Sequence, residues 1–82
     1  MEKPIGKVTH YFPKIQVAVV ALSDDLKQGE EIRITGAHTD FMQKVASMQI
    51  EHKPLVAAMR GQEIGLKVDR DVKVGDQVLK TG

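Results

Sequence analysis

The sequence predicts an all-β fold, a small closed or nearly closed antiparallel β-barrel of about six or seven strands. Apolar residues recur at every second position in Glu31 to Thr35 and in Gln62 to Val68. Turn residues interrupt the chain at intervals of about eight to twelve residues, the spacing of short strands in a barrel. The stretch LKQGEEIRITG, Leu26 to Gly36, also returns as VKVGDQVLKTG, Val72 to Gly82. In both copies a glycine that tolerates φ > 0 (Gly29, Gly75) precedes an acidic residue (Glu30, Asp76), and a β-branched residue (Ile32, Val78) starts a strand. Two similar Gly-punctuated corners of one barrel are expected; two unrelated hairpin turns are the plainer alternative.

Taken in order, Ile5 to Phe12 reads as a first strand. It stops at Pro13, which has no N–H for a ladder, and Pro13-Lys14 is the expected tight turn. Ile15 to Leu22, IQVAVVAL, reads as a second strand, apolar on both faces. That calls for a position inside a closed or nearly closed sheet, or for a partner over one face; a buried helix segment is the alternative. Ser23-Asp24-Asp25 is a turn cluster, and Leu26 to Gly29 leads into a strand with Ile32 and Ile34 inward and Glu31, Arg33 and Thr35 outward. Gly36 to Phe41 reads as a loop. Met42 to Lys53 is the longest strand candidate; Met48 and Ile50 share a phase with Ala46, so keeping Val45 inside requires a bulge or bend near Ala46-Ser47. Pro54 to Gly61 carries Leu55, Ala58 and Met59 at helical spacing and is read as a short helical turn or irregular crossover packing Leu55 or Met59 under the barrel. Gln62 to Val68 is a strand with Ile64, Leu66 and Val68 inward, Asp69 to Gly75 a second turn, and Gln77 to Thr81 the closing strand.

Composition narrows the function classes. The 82 residues make one domain, residues 1–82, burying roughly 60 to 65% of the unfolded surface. There is no cysteine, which removes disulfides, thiolate zinc sites and a cysteine nucleophile. The N-terminal MEKPIGKV has no signal-type apolar core, and the longest apolar run, Val17 to Leu22, is too short to span a bilayer. A soluble, cytoplasmic protein with no membrane partner is expected. Net charge is +1, so no global basicity points to nucleic acid, although Lys3, Lys7 and Lys14 against Glu2 make the first segment locally basic.

Catalytic constellations have little support. Ser23 lies in an acidic turn and Ser47 in a strand, neither in a nucleophile elbow. The lone Gly-Lys, Gly6-Lys7, has no room before it for a phosphate loop, so the chain has no GTP site of its own. His10, His38 and His52 form no spaced ligand set, and neither a metal nor another cofactor is expected. Asp24-Asp25 and Glu30-Glu31 read as solvated turn and strand edge, because adjacent strand residues point to opposite faces.

A binding surface remains. Tyr11 and Phe12 stand beside His10 and Lys14, where an aromatic would stack on a base while cations meet phosphate. Lys7, His10, Tyr11 and Lys14 form the candidate nucleic-acid contact, joined by Lys44, His52, Lys53 and Arg60 if the fold brings this second group alongside. The alternative buries Phe12 in the core, half-buries Tyr11 and leaves the lysines as solvated surface.

LKQGEEIRITG, VASMQIEHKPLVAAMRGQEIGLKV and VKVGDQVLKTG, in that order and spacing, resemble the second, β-barrel domain of translational GTPases such as elongation factor Tu and initiation factor two. IGKVTHYFPKIQVAVVAL and HTDFMQKVASMQIEHK look closer still to stand-alone elongation-factor-like proteins and to the small C-terminal barrel of collagenase-like peptidases, some of whose relatives modify RNA. The resemblance implies a translation-type barrel without catalytic activity, whose partner is RNA or a ribosome-associated protein. GTP hydrolysis is not carried over, since the GTPase domain is absent, and His10-Tyr11-Phe12-Pro13-Lys14 replaces the Gly-rich first hairpin. A protein-interaction or accessory module of an enzyme complex, with a protein partner or a homodimer through Ile15 to Leu22 or an open sheet edge, is the competing reading.

Overall fold

In the computed structural model, which describes residues 2–81, Lys3–Phe12 (β1) and Val17–Leu22 (β2) form an antiparallel hairpin. Met1 and Gly82, the last residue of the Val72 to Gly82 echo, lie outside the described residues. The turn is longer than Pro13-Lys14 alone: Ile15 joins it, and Gln16 closes it with φ 52°. β2 alternates as its β-branched composition demands, with Ala18, Val20 and Leu22 buried and Val17, Val19 and Ala21 on the outer face.

Eight further strands follow, so the expected six or seven become ten among the described residues. Leu26–Lys27 (β3), Glu31–Thr35 (β4), Asp40–Lys44 (β5), Met48–Ile50 (β6), Lys53–Leu55 (β7), Ala57–Ala58 (β8), Glu63–Lys67 (β9) and Gln77–Lys80 (β10) complete the chain. The described residues are all-β, and every pairing among them is antiparallel. The main sheet runs β5-β4-β10-β1-β2-β9-β6-β7, and β3 pairs with β8 separately. The excess arises where long readings break up. Met42 to Lys53 divides into part of β5, then β6 and the start of β7, and the predicted loop Gly36 to Phe41 loses Asp40 and Phe41 to β5. The break at residues 45–47 lies where the phases conflict, and it lets both Val45 and Met48 point inward at 1% exposure.

The helical turn expected within Pro54 to Met59 is not formed. Pro54 and Leu55 extend β7 opposite β6, and Ala57-Ala58 pairs with Leu26-Lys27. Strand pairing overrides the helical spacing of Leu55, Ala58 and Met59: Ala58 is buried, Leu55 packs against the core, and Met59 is exposed.

The sheet curls around Ile5, Val8, Val20, Leu26, Ile32, Ile34, Met48, Ile64, Leu66 and Val78, all buried. No continuous ladder among the described residues joins β5 to the other end of the sheet. Gln43 ties β5 to the end of β9 instead. Its Nε2 donates to the Lys67 carbonyl at 2.9 Å and its Oε1 accepts from the Asp69 N–H at 2.8 Å. The Lys67 N–H adds a bond to the Ser47 carbonyl at 3.1 Å.

The two copies of the repeated stretch are indeed equivalent corners. Gly29 and Gly75 have φ 92° and 97°, at the third turn position where positive φ favours glycine. The Glu30 N–H donates to the Lys27 carbonyl while the Glu30 carboxylate accepts from the Lys27 N–H at 2.7 Å. Asp76 does the same with Lys73, accepting at 2.9 Å. Each glycine N–H then donates to a valine carbonyl, Val45 or Val8, and that valine's N–H returns to the carbonyl of Glu30 or Asp76. The apolar leaders Leu26 and Val72 and the strand residues Ile32 and Val78 are buried in matching positions.

Candidate functional site, an apolar groove on the outer sheet face

The eight basic and aromatic residues singled out in the sequence fall on several different elements. β1 contains a register shift between Val8 and His10, so His10 pairs with Val19 and Phe12 with Val17 on the outer side, whereas Tyr11 pairs with Ala18 and packs against the core. The Tyr11 hydroxyl donates to Asp71 Oδ1 at 2.8 Å. Desolvation, followed by the bond and the negative charge of Asp71, raises the Tyr11 pKa above its ordinary value. Tyr11 therefore ties the 69–73 segment to the barrel. Lys7 stands exposed on β1 opposite Ala21, and Lys14 occupies the exposed turn.

The second group is scattered. Lys44 sits opposite Glu31 at the end of β5, before the break at residues 45–47 that leads into β6. The Arg60 backbone N–H donates to Asp25 Oδ1, near the β2–β3 turn. Lys53 pairs with Ile50 across a two-residue hairpin loop formed by Glu51 and His52. The acidic pairs behave as the strand geometry requires: Asp24 pairs with Lys3, which with the Asp25 N–H lowers its pKa, and Glu30 caps its own turn and meets Lys80 at 3.3 Å.

What the fold does assemble is a groove of about 370 Å³ on the outer face of β2, β9 and β6. Val17, Val19 and Gly65 form its floor, Phe12 and Ile15 one wall, and Ile50 with Glu51 and His52 the other, with Glu63 at one end. The pairing explains the depression. Val19 lies opposite Gly65, and Gly65 opposite Gln49, so the floor has no side chain in the middle of three adjacent strands. A Cβ on Gly65 would come within 3.2 Å of both Val17 Cγ1 and Gln49 Cγ.

The walls are apolar yet solvated: Phe12 is 50% and Ile15 56% exposed. Phe12 is thus not core, contrary to one sequence reading, because the bulge in β1 turns it outward. Lys67 stabilises this wall by donating from Nζ to the Ile15 carbonyl at 3.0 Å. On the opposite rim, Glu51 and His52 have φ 51° and 65°. A two-residue hairpin loop with both residues at positive φ normally calls for Asn-Gly. Non-glycine residues held in such conformations concentrate at functional sites.

The sequence reading missed this groove. The signal that pointed to it was the doubly apolar β2: its outer face calls for a cover, and among the described residues nothing covers Val17 and Val19 fully. Gly65 was placed outward by alternation, but its pairing with Val19 is visible only in the register.

No protein-family model matches the chain. It is 40% identical over 75 residues to an uncharacterized protease of Methanocaldococcus jannaschii, covering 90% of this chain and 18% of that protein. It is 33% identical over 78 residues to a collagenase of Porphyromonas gingivalis, covering 93% of this chain and 22% of that protein. The chain thus spans about a fifth of the length of these curated relatives. Its fold matches the crystal structure of the C-terminal domain of a Geobacillus thermoleovorans protein described as a U32 peptidase, with TM-score 0.88 at 25% identity, covering 95% of this chain and 91% of that one. The selenomethionine variant of the same domain gives a TM-score of 0.90 and is covered to 99%. These likenesses support the collagenase-like half of the sequence resemblance. They overturn the expected place in translation and the expected RNA binding, since each relative named here is a peptidase or collagenase.

Proposed function

We propose that the chain is a non-catalytic accessory module of a U32-type peptidase, docking through its outer groove onto the peptidase's larger portion. The observation that carries this reading is the pattern of coverage. At least 90% of the chain aligns with the curated relatives, of which it forms about a fifth, and 95% aligns with a separately crystallised C-terminal domain of a U32 peptidase. The unit is shared as a whole, as expected of a module with its own core.

The residues with fixed polar geometry serve the barrel. Gln43 joins β5 to β9, Asp76 caps a corner, and Tyr11 holds Asp71. The groove is different, because its exposed Phe12 and Ile15 gain nothing from solvent and their burial against a partner would be favourable. Docking by an apolar floor with charged rim residues is the ordinary composition of a protein interface.

The test is a domain exchange in the Porphyromonas gingivalis collagenase. Three proteins are compared for collagen degradation: the enzyme without its matching stretch, the enzyme with that stretch replaced by this chain, and this chain alone. The expected order is restored activity in the exchange protein, loss in the shortened enzyme and none in the isolated chain. A shortened enzyme as active as the whole, or collagen cleavage by the chain alone, would overturn the proposal.

A further inference from the structure

We infer that the groove receives an extended segment of the partner protein, with an aliphatic side chain seated over Gly65 and an adjacent lysine or arginine facing Glu51 and Glu63. The inference rests on the docking role proposed for the groove and adds the chemistry of what enters it.

Shape favours an extended backbone lying across the floor. A glycine in the interior of a strand weakens the sheet and often marks close approach of another backbone or ligand. Gly65 does so at the floor's centre, flanked by Val17, Val19 and Gln49.

Charge favours a basic residue beside it. The carboxylates that line the groove are Glu51 and Glu63. Of the nearby lysines, Lys67 directs Nζ to the Ile15 carbonyl, and Lys7, in the cross-strand row of Ala21 and Glu63, Lys14 in the exposed turn and Lys53 beside His52 do not line the groove. His52 lines the rim beside Glu51, and His10 lies on β1 next to Val19. The Thr9 hydroxyl donates to Glu63 Oε2 at 3.3 Å, which holds that carboxylate on the outer face. A lysine or arginine is suited to this arrangement because its aliphatic stem can lie on the apolar wall while its charged head meets a carboxylate. At the edge that would contact the charged residue, Glu51 and His52 are held at positive φ.

The probe is a blocked hexapeptide of alternating leucine and lysine, compared with leucine–glutamate and serine–lysine versions, followed by amide shifts of the whole chain. The expected result is saturable shifts centred on Val17, Val19, Ile50 and Gly65 with the leucine–lysine peptide. The other two peptides should bind at least about tenfold more weakly, a difference of about 1.4 kcal/mol. Gly65→Val, which fills the floor, and Glu51→Gln with Glu63→Gln should each weaken the leucine–lysine peptide, the carboxylate pair also removing its salt dependence. Equal binding of the serine–lysine or leucine–glutamate peptide, shifts centred elsewhere, or a stable dimer with these amides protected would overturn the inference. If the peptides fail while groove-filling still abolishes collagenase restoration, the docking reading stands and only the partner chemistry falls. If the peptides bind as expected but the domain exchange fails, the reverse holds.

Discussion

Replacing Gln43 by methionine tests how the barrel is held together. Methionine keeps nearly the same length without either polar group, so the substitution removes the bonds to the Lys67 carbonyl and the Asp69 N–H, at 2.9 and 2.8 Å, while filling the same space. Each bond contributes about 1 kcal/mol net, giving a loss of about 2 kcal/mol, and about 4 kcal/mol if both backbone groups stay dry. In a domain of this size 1 kcal/mol corresponds to roughly 4–8 °C, so the lower figure predicts a fall in Tm of roughly 8–16 °C. Denaturant unfolding gives the free energy, and hydrogen exchange at the Asp69 amide localises it. The same change at exposed Gln77 is the control, expected within about 0.5 kcal/mol. A loss at Gln43 no larger than at Gln77, or unchanged protection of the Asp69 amide, would refute the bridging role.

Three other outcomes follow from the same geometry. Gly29→Ala and Gly75→Ala should each destabilise by about 1–2 kcal/mol and by similar amounts, since both glycines have positive φ and neither has a neighbour that a Cβ would strike; markedly unequal losses in urea unfolding would argue against equivalent corners. Changing Glu51-His52 to Asn-Gly should stabilise by about 1 kcal/mol by relieving two unfavourable φ values, and a lower Tm would show that the loop is not strained. Tyr11 is the single tyrosine and there is no tryptophan, so absorbance near the phenolate band reads its ionisation directly. Its midpoint should lie above 10.0, and its contribution to stability should be complete below that pH and lost as pH rises through the folded value. Asp71→Asn should bring the midpoint down while leaving the part caused by burial; a midpoint at or below 10.0 in the unaltered chain would contradict the Tyr11–Asp71 bond.

The strands were legible wherever one face is buried, because alternation then records the core directly: Ile32 with Ile34, and Ile64, Leu66 and Val68, lie inside as expected. The corners were legible for a second reason. Their glycine and acidic residue are both required locally, one by φ and the other by an N–H to be capped. The break beyond Val45 was visible as a phase conflict. Legibility failed where long-range pairing decided the outcome. Nothing local in Pro54 to Met59 announces that Ala57-Ala58 will pair with Leu26-Lys27. Gln43 reads as a polar strand residue, and only its shared phase with Val45 hints that it points inward. The groove depends on a bulge that turns Phe12 outward and on a register that sets Gly65 between Val19 and Gln49. The basic residues were conspicuous in the sequence because charge is visible there, whereas their dispersal over separate strands is not.

The central claim is that this module serves a U32-type peptidase through its groove. It is tested most directly by collagen degradation with two exchange proteins, one carrying this chain and one carrying it with Gly65→Val. The substitution fills the floor against Val17 and Gln49 while leaving the buried core untouched. Phe12→Ser with Ile15→Ser, both half-exposed positions, provides a second variant that removes the wall without opening the core. The account predicts that the unaltered chain restores degradation and that both groove variants, folded by circular dichroism, do not. Equal restoration by all three would contradict it.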